Sequence, residues 1–102
     1  EPILTCGGLQ LNLLEHRVVV EGREVKLTPT EYELLKVMLK YAGRVLTHKQ
    51  LLKAVWGNEY DTDTHYIRIY MRQLRRKIEP DPAQPKYLIT EAGIGYRLLG
   101  GE

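Results

Sequence analysis

The chain of 102 residues contains no serine and a single cysteine, Cys6. Without serine there is no Ser-His-Asp nucleophile, and Cys6, near the amino terminus, offers neither an internal disulfide nor a Cys-His pair. His16, His48 and His65 lack ligand spacing, and one cysteine does not complete a structural zinc set. No metal, cofactor or enzymatic activity is therefore expected. No apolar run approaches the length of a membrane span or signal peptide, which argues against a membrane partner and for a cytoplasmic protein. Excess charge is scarce too: 15 Lys and Arg against 13 Asp and Glu leave +2, too little by itself to indicate a nucleic-acid partner.

What is present is enough apolar material, 43% of residues, for one compact domain over residues 1–102 with a core of its own. The start at Glu1-Pro2 rather than at Met reads as a piece of a longer protein, or as the product of N-terminal processing. The charge is unevenly placed. Residues 62–79 hold Arg68, Arg72, Arg75, Arg76 and Lys77 against Asp63 and Glu79, five minus two or +3, so the other 84 residues sum to −1.

Between Ile3 and Leu27, the β-favouring runs Leu9 to Leu14 and Val18 to Val20 are separated by Gly7-Gly8, Glu15-His16 and Glu21-Gly22, the pattern of an antiparallel meander. Leu9, Leu11 and Leu13 alternate with polar residues, so one face is expected to be covered. Thr28-Pro29-Thr30-Glu31 combines an N-cap, a proline at the first helical position and a capping-box glutamate. The helix it opens carries Leu34, Leu35, Met38, Leu39 and Ala42 inward and stops at Gly43. Arg44-Val45-Leu46 is expected to be an extended link. Thr47-His48-Lys49-Gln50 repeats the capping box and starts a second helix with Leu51, Leu52, Val55 and Trp56 inward, ended by Gly57. Trp56 and the tyrosines are candidates for base stacking, but Trp56 continues an apolar stripe and reads as core.

A third helix is expected from Asp63 to Ile78, with Asp61, Thr62 or Asp63 as N-cap. Ile67, Tyr70, Met71, Leu74 and Ile78 form its inward stripe. His65, Ile69, Arg72, Gln73 and Arg76 fall on the opposite side, with Tyr66 at its margin. Solvated helices also carry arginine, but here the i,i+4 acidic partners are missing. Pro80 and Pro82 end the helix. Tyr87 to Thr90 and Tyr96 to Leu99 then form a hairpin through Glu91-Ala92-Gly93-Ile94-Gly95. Gly93-x-Gly95 is a turn rather than a phosphate cradle, since no helix follows. Asp61-x-Asp63 fails as a calcium loop because Tyr66 and Arg72 stand where glycine and glutamate are required.

Helix, loop, basic helix and hairpin in this order is the α+β arrangement of a winged helix-turn-helix. A B-DNA major groove about 12 Å wide admits one helix, and residues 63–78 offer a packed face and a donor-rich one. Arg72 and Arg76 suit guanine edges or phosphates, Gln73 adenine, and Ile69 a thymine methyl. His65, Tyr66 and Lys77 are placed for flanking phosphates, and Thr62, Arg75 and Arg97 complete the candidate DNA-contacting set. The alternative reading is a protein-interaction module that uses Asn58, Glu59, Tyr60 and Asp61.

Four ordered segments resemble the effector domain of OmpR/PhoB-type response regulators: Leu27 to Leu35, Val45 to Leu52 with Val55-Trp56-Gly57, Leu74 to Ile78, and Gly93 to Arg97. His65 to Met71 and Ile89-Thr90-Glu91 further resemble the branch of that family that regulates potassium transport. The resemblance implies a four-stranded N-terminal antiparallel sheet, three helices and a C-terminal β-hairpin wing. It implies a phosphorylatable receiver domain and a sensor kinase acting on the full protein, neither lying within these residues. It also implies head-to-tail binding of two copies to direct repeats of double-stranded DNA. The loop from Asn58 to Thr62 would face RNA polymerase, Thr90 a phosphate, and Tyr96 would anchor the hairpin. Many relatives place arginine in the wing where this chain has Ala92, so a minor-groove arginine contact would fall to Arg97 or be lost.

Overall fold

A computed structural model describes residues 2–57 and 65–100. The described residues form β1 (Ile3–Cys6), β2 (Leu9–Asn12), β3 (Arg17–Val20), β4 (Arg23–Val25), α1 (Pro29–Lys40), β5 (Val45–Thr47), α2 (His48–Trp56), α3 (His65–Ile78), β6 (Leu88–Glu91) and β7 (Gly95–Leu98). The first four strands make one antiparallel sheet in chain order, and β5-β7-β6 make a second. No helix among the described residues is long and apolar enough to cross a membrane.

The meander follows from its turns and its alternation. Glu21 and Gly22 both take positive φ, 49° and 83°, the geometry of a two-residue hairpin turn whose twist matches its strands, and Val20 pairs with Arg23 across it. Leu9, Leu11, Val18 and Val20 point inward and are fully covered. The strand expected to run to Leu14 stops at Asn12, because the Asn12 Oδ1 accepts the backbone N–H groups of Leu14 and Glu15 and turns the chain. Leu14 is left 82% exposed.

Both capping boxes are formed. Thr28 Oγ1 accepts from the Glu31 N–H while Glu31 Oε1 accepts from the Thr28 N–H, and Thr47 and Gln50 repeat the exchange. Helix α1 buries Leu34, Leu35, Met38 and Leu39 but ends at Lys40, so Ala42 lies beyond it and is exposed. Leu51 and Leu52 of α2 are buried, whereas Val55 and Trp56 are half-covered, Trp56 tilting against Tyr70 of α3 with ring centroids 5.3 Å apart.

One expectation is corrected. The segment at 44–46, read as a link, contributes strand β5, with Val45, Leu46 and Thr47 paired to Arg97, Tyr96 and Gly95. The wing is thus the outer part of a three-stranded sheet anchored between α1 and α2. The close approach needs Gly95, where a Cβ would lie 1.9 Å from the Leu46 carbonyl oxygen.

Two buried acids fix how α3 sits in this frame. Glu31, 1% exposed, accepts from Lys77 Nζ of α3 at 2.6 Å. Burial alone would raise its pKa, but the Lys77 ammonium and the Thr28 N–H outweigh that and hold the carboxyl below its ordinary value. Glu79, just past α3 and 4% exposed, accepts the backbone N–H groups of Lys86, Tyr87 and Leu88. Its carboxylate therefore ties the end of α3 to the first residues of the wing.

Candidate nucleic-acid interface

Helix α3 has the two faces expected of it. Ile67, Met71, Leu74 and Ile78 are buried, and Tyr70 is half-covered. His65, Tyr66, Arg68, Ile69, Arg72, Gln73 and Arg76 are exposed. Such a helix is held by its apolar stripe while leaving its donors in water.

Between α3 and the β6–β7 hairpin runs an open groove of about 610 Å³, lined by His65, Arg68, Ile69, Arg72, Gln73, Arg75, Arg76 and Tyr96. No acidic side chain among the described residues lines it. A smaller depression of about 280 Å³ continues past Arg72, Arg75 and Arg76 to Pro82 and Ala83. Among the described residues, Arg68, Arg72 and Arg76 have no carboxylate partner. Their charge is held in place only by the helix, which leaves it available to an anion.

The floor of the groove is Tyr96, 5% exposed. Its ring packs edge-on against His48 at 5.3 Å and lies 5.8 Å from the Arg75 guanidinium carbon. Burial raises the Tyr96 phenol pKa, against the opposing pull of Arg75 and Arg68. At the wing tip the Ile94 N–H donates to the Glu91 carbonyl, and Gly93 takes φ 75°. The tip between them is uncharged, with Ala92 and Ile94 exposed.

His65, Tyr66, Ile69, Arg72, Gln73, Arg76 and Thr90 are on the surface as expected, the first six on α3 and Thr90 on β6. Three further members of the expected set have their cationic ends engaged within the domain. Lys77 is turned away from the groove side to the buried Glu31. Arg97 pairs with Glu91 across the wing. Arg75 donates to the Leu88 carbonyl and to Thr90. Which carboxylate or carbonyl lies nearest each of these cations is set by the fold and not by the charge count. Arg68 was missing from the expected contacts, although it lines the groove. Its spacing of four from Arg72 was the available signal. Thr62 and the loop residues Asn58, Glu59, Tyr60 and Asp61 lie outside the described residues.

Three helices on a four-stranded sheet, with the basic third helix sharing an arginine-lined groove with a C-terminal β-hairpin, define a winged-helix domain. Residues 22–98 match the family described as transcriptional regulatory protein, C terminal, and the chain belongs to that family, the output domain of OmpR/PhoB-type response regulators. It is similar to the KDP operon transcriptional regulatory protein KdpE of Escherichia coli, 54% identical over 100 residues that cover 97% of this chain and 44% of that protein. KdpE of Mycobacterium tuberculosis is 44% identical over 97 residues, 95% of this chain and 43% of the relative. The chain thus spans less than half the length of these relatives.

Among solved structures, the response regulator DrrB, a Thermotoga maritima OmpR/PhoB homolog, superposes with TM-score 0.87 at 27% identity, covering 98% of this chain and 45% of that one. The Klebsiella pneumoniae RstA DNA-binding domain, in complex with RstA box, shares the fold with TM-score 0.88 at 22% identity, covering 98% and 99%.

Proposed function

We propose that this domain binds double-stranded DNA in a sequence-specific way, with α3 in the major groove and the wing on the neighbouring backbone, to control transcription. The observation that carries the reading is the arginine-lined groove in which Arg68, Arg72 and Arg76 have no carboxylate partner among the described residues. Arg72 and Arg76, one turn apart, read base edges together with Gln73 and Ile69. His65, Tyr66, Thr62 and Thr90 hold phosphates. The complex of the RstA domain with RstA box supports the docking by fold. The KdpE relatives are named as transcriptional regulatory proteins, and the resemblance of His65 to Met71 and of Ile89-Thr90-Glu91 to the potassium-transport branch favours control of potassium-transport genes, by a full-length cytoplasmic protein with a receiver domain and a sensor kinase.

Two copies on direct repeats gain by proximity what one half-site lacks. Selection of bound duplexes from a random pool tests all of this together. A consensus of two half-sites in the same orientation is expected, whereas recovery of unenriched sequence at low salt would reduce the function to charge attraction. RNA polymerase is the second partner, through Asn58 to Asp61, whose acidic sequence motivates it. Substitutions there are expected to abolish polymerase capture and leave DNA affinity intact, and unchanged capture would remove the loop from the interface.

A further inference from the structure

Arg75 sits on α3 between the recognition face and the packed face, half-buried. Its Nε and Nη2 donate to the Leu88 carbonyl at 3.1 and 2.9 Å, and Nη2 donates also to Thr90 Oγ1 at 2.7 Å. Three of the five guanidinium N–H donors are thus given to strand β6. The charge lies beside the Tyr96 ring of β7, so one side chain touches both strands of the wing. The backbone on this side is set as well, because Glu79 accepts the N–H of Leu88 while Arg75 takes its carbonyl. Leu88 is clamped on both polar groups by residues at the end of α3.

The consequence for Thr90 is chemical. Its hydroxyl oxygen accepts from Arg75, which fixes the oxygen and leaves its own hydrogen free to donate. Thr90 is exposed. A hydroxyl that accepts from a cation is also a stronger donor, since the bonds along such a chain polarise one another. We infer that Arg75 is a positioning residue rather than a DNA contact: it locks the wing to the recognition helix and orients the Thr90 hydroxyl as a donor to a phosphate oxygen. The inference rests on the DNA-binding reading above. It predicts that the wing and α3 bind as one rigid unit, and that a positive charge at position 75 without the planar fork does not suffice.

The test compares Arg75→Lys and Arg75→Ala with the unaltered chain on a duplex that the unaltered chain selects from a random pool. Affinity is measured against salt, and hydroxyl-radical footprints are taken at one salt concentration. Both variants are expected to bind about tenfold more weakly, the scale of losing charge-assisted hydrogen bonds. Both should also lose protection on the wing flank and keep it where α3 lies, with a salt slope unchanged from the parent. Thr90→Val is expected to cost the same wing-side protection and to add little to Arg75→Ala, since the two would act as one unit.

A phosphate contact gives the opposite pattern. Arg75→Lys would then bind within about twofold of the parent, and Arg75→Ala would flatten the salt slope by about one unit; either result overturns the inference. Thermal unfolding of each variant separates loss of fold from loss of wing placement. If Arg75→Lys does not fold, Thr90→Val decides: retained wing-side protection overturns the inference. If the unaltered chain selects no duplex, it is the DNA-binding reading itself that fails.

Discussion

Arg72 and Arg75 are three residues apart on one helix and carry the same side chain, yet they face different surroundings. Arg72 is exposed and lines the groove with no carboxylate partner among the described residues, so its five donors are open to a base edge. Arg72→Ala is expected to weaken specific binding by about 1–3 kcal/mol and to relax base preference at one position. Titration of the selected duplex against a scrambled one checks this, and equal losses on both would assign Arg72 to phosphates. Gly95 is constrained by its backbone neighbours. A methyl there would meet the Leu46 carbonyl, so Gly95→Ala is expected to cost about 3 kcal/mol, at the upper end of overpacking, by parting β5 from β7. Chemical denaturation measures the loss.

Each element is held at a few polar points besides its apolar stripe. Helix α1 begins with a capping box whose glutamate also receives Lys77 from α3, so one carboxylate joins a helix start to the recognition helix. Its folded pKa lies below the ordinary value of 4.5. A depressed carboxyl stabilises the fold above its unfolded pKa, and that contribution is lost as pH falls through the lower folded value. Stability is therefore expected to decline below about pH 4.5, and Glu31→Gln to be less stable at neutral pH but flatter across that acidic window. Urea unfolding over a series of acidic buffers reads both effects, and parallel curves for the two proteins would show that Glu31 is not the group responsible.

For the molecule as a whole, the useful quantity is the number of cations left for an anionic partner. Residues 62–79 carry five bases. Lys77 is taken up by Glu31 and Arg75 by the wing, leaving Arg68, Arg72 and Arg76. Each phosphate neutralised contributes about −0.9 to the slope of log affinity against log salt, so α3 contributes at most roughly −2.7, and less where Arg72 and Arg76 read base edges instead. A slope near that of five cations, about −4.5, would mean that Lys77 and Arg75 leave their internal partners on binding.

Much of this was legible in the order of residues. Local chemistry depends on near neighbours, so Thr28 with Glu31, Thr47 with Gln50, the Glu21-Gly22 turn and the 3.6-residue stripe of α3 predicted two helix starts, a hairpin and the side of α3 that stays wet. Family motifs supplied the order of the parts. Tertiary structure alone decided that the segment at 44–46 becomes a strand, because its hydrogen bonds run to residues about fifty positions away. It alone decided also which of the basic residues remain free. A charge count is a property of the sequence, but a hydrogen bond needs its acceptor within about 3 Å, and only the folded chain brings Glu31 to Lys77 and Leu88 to Arg75.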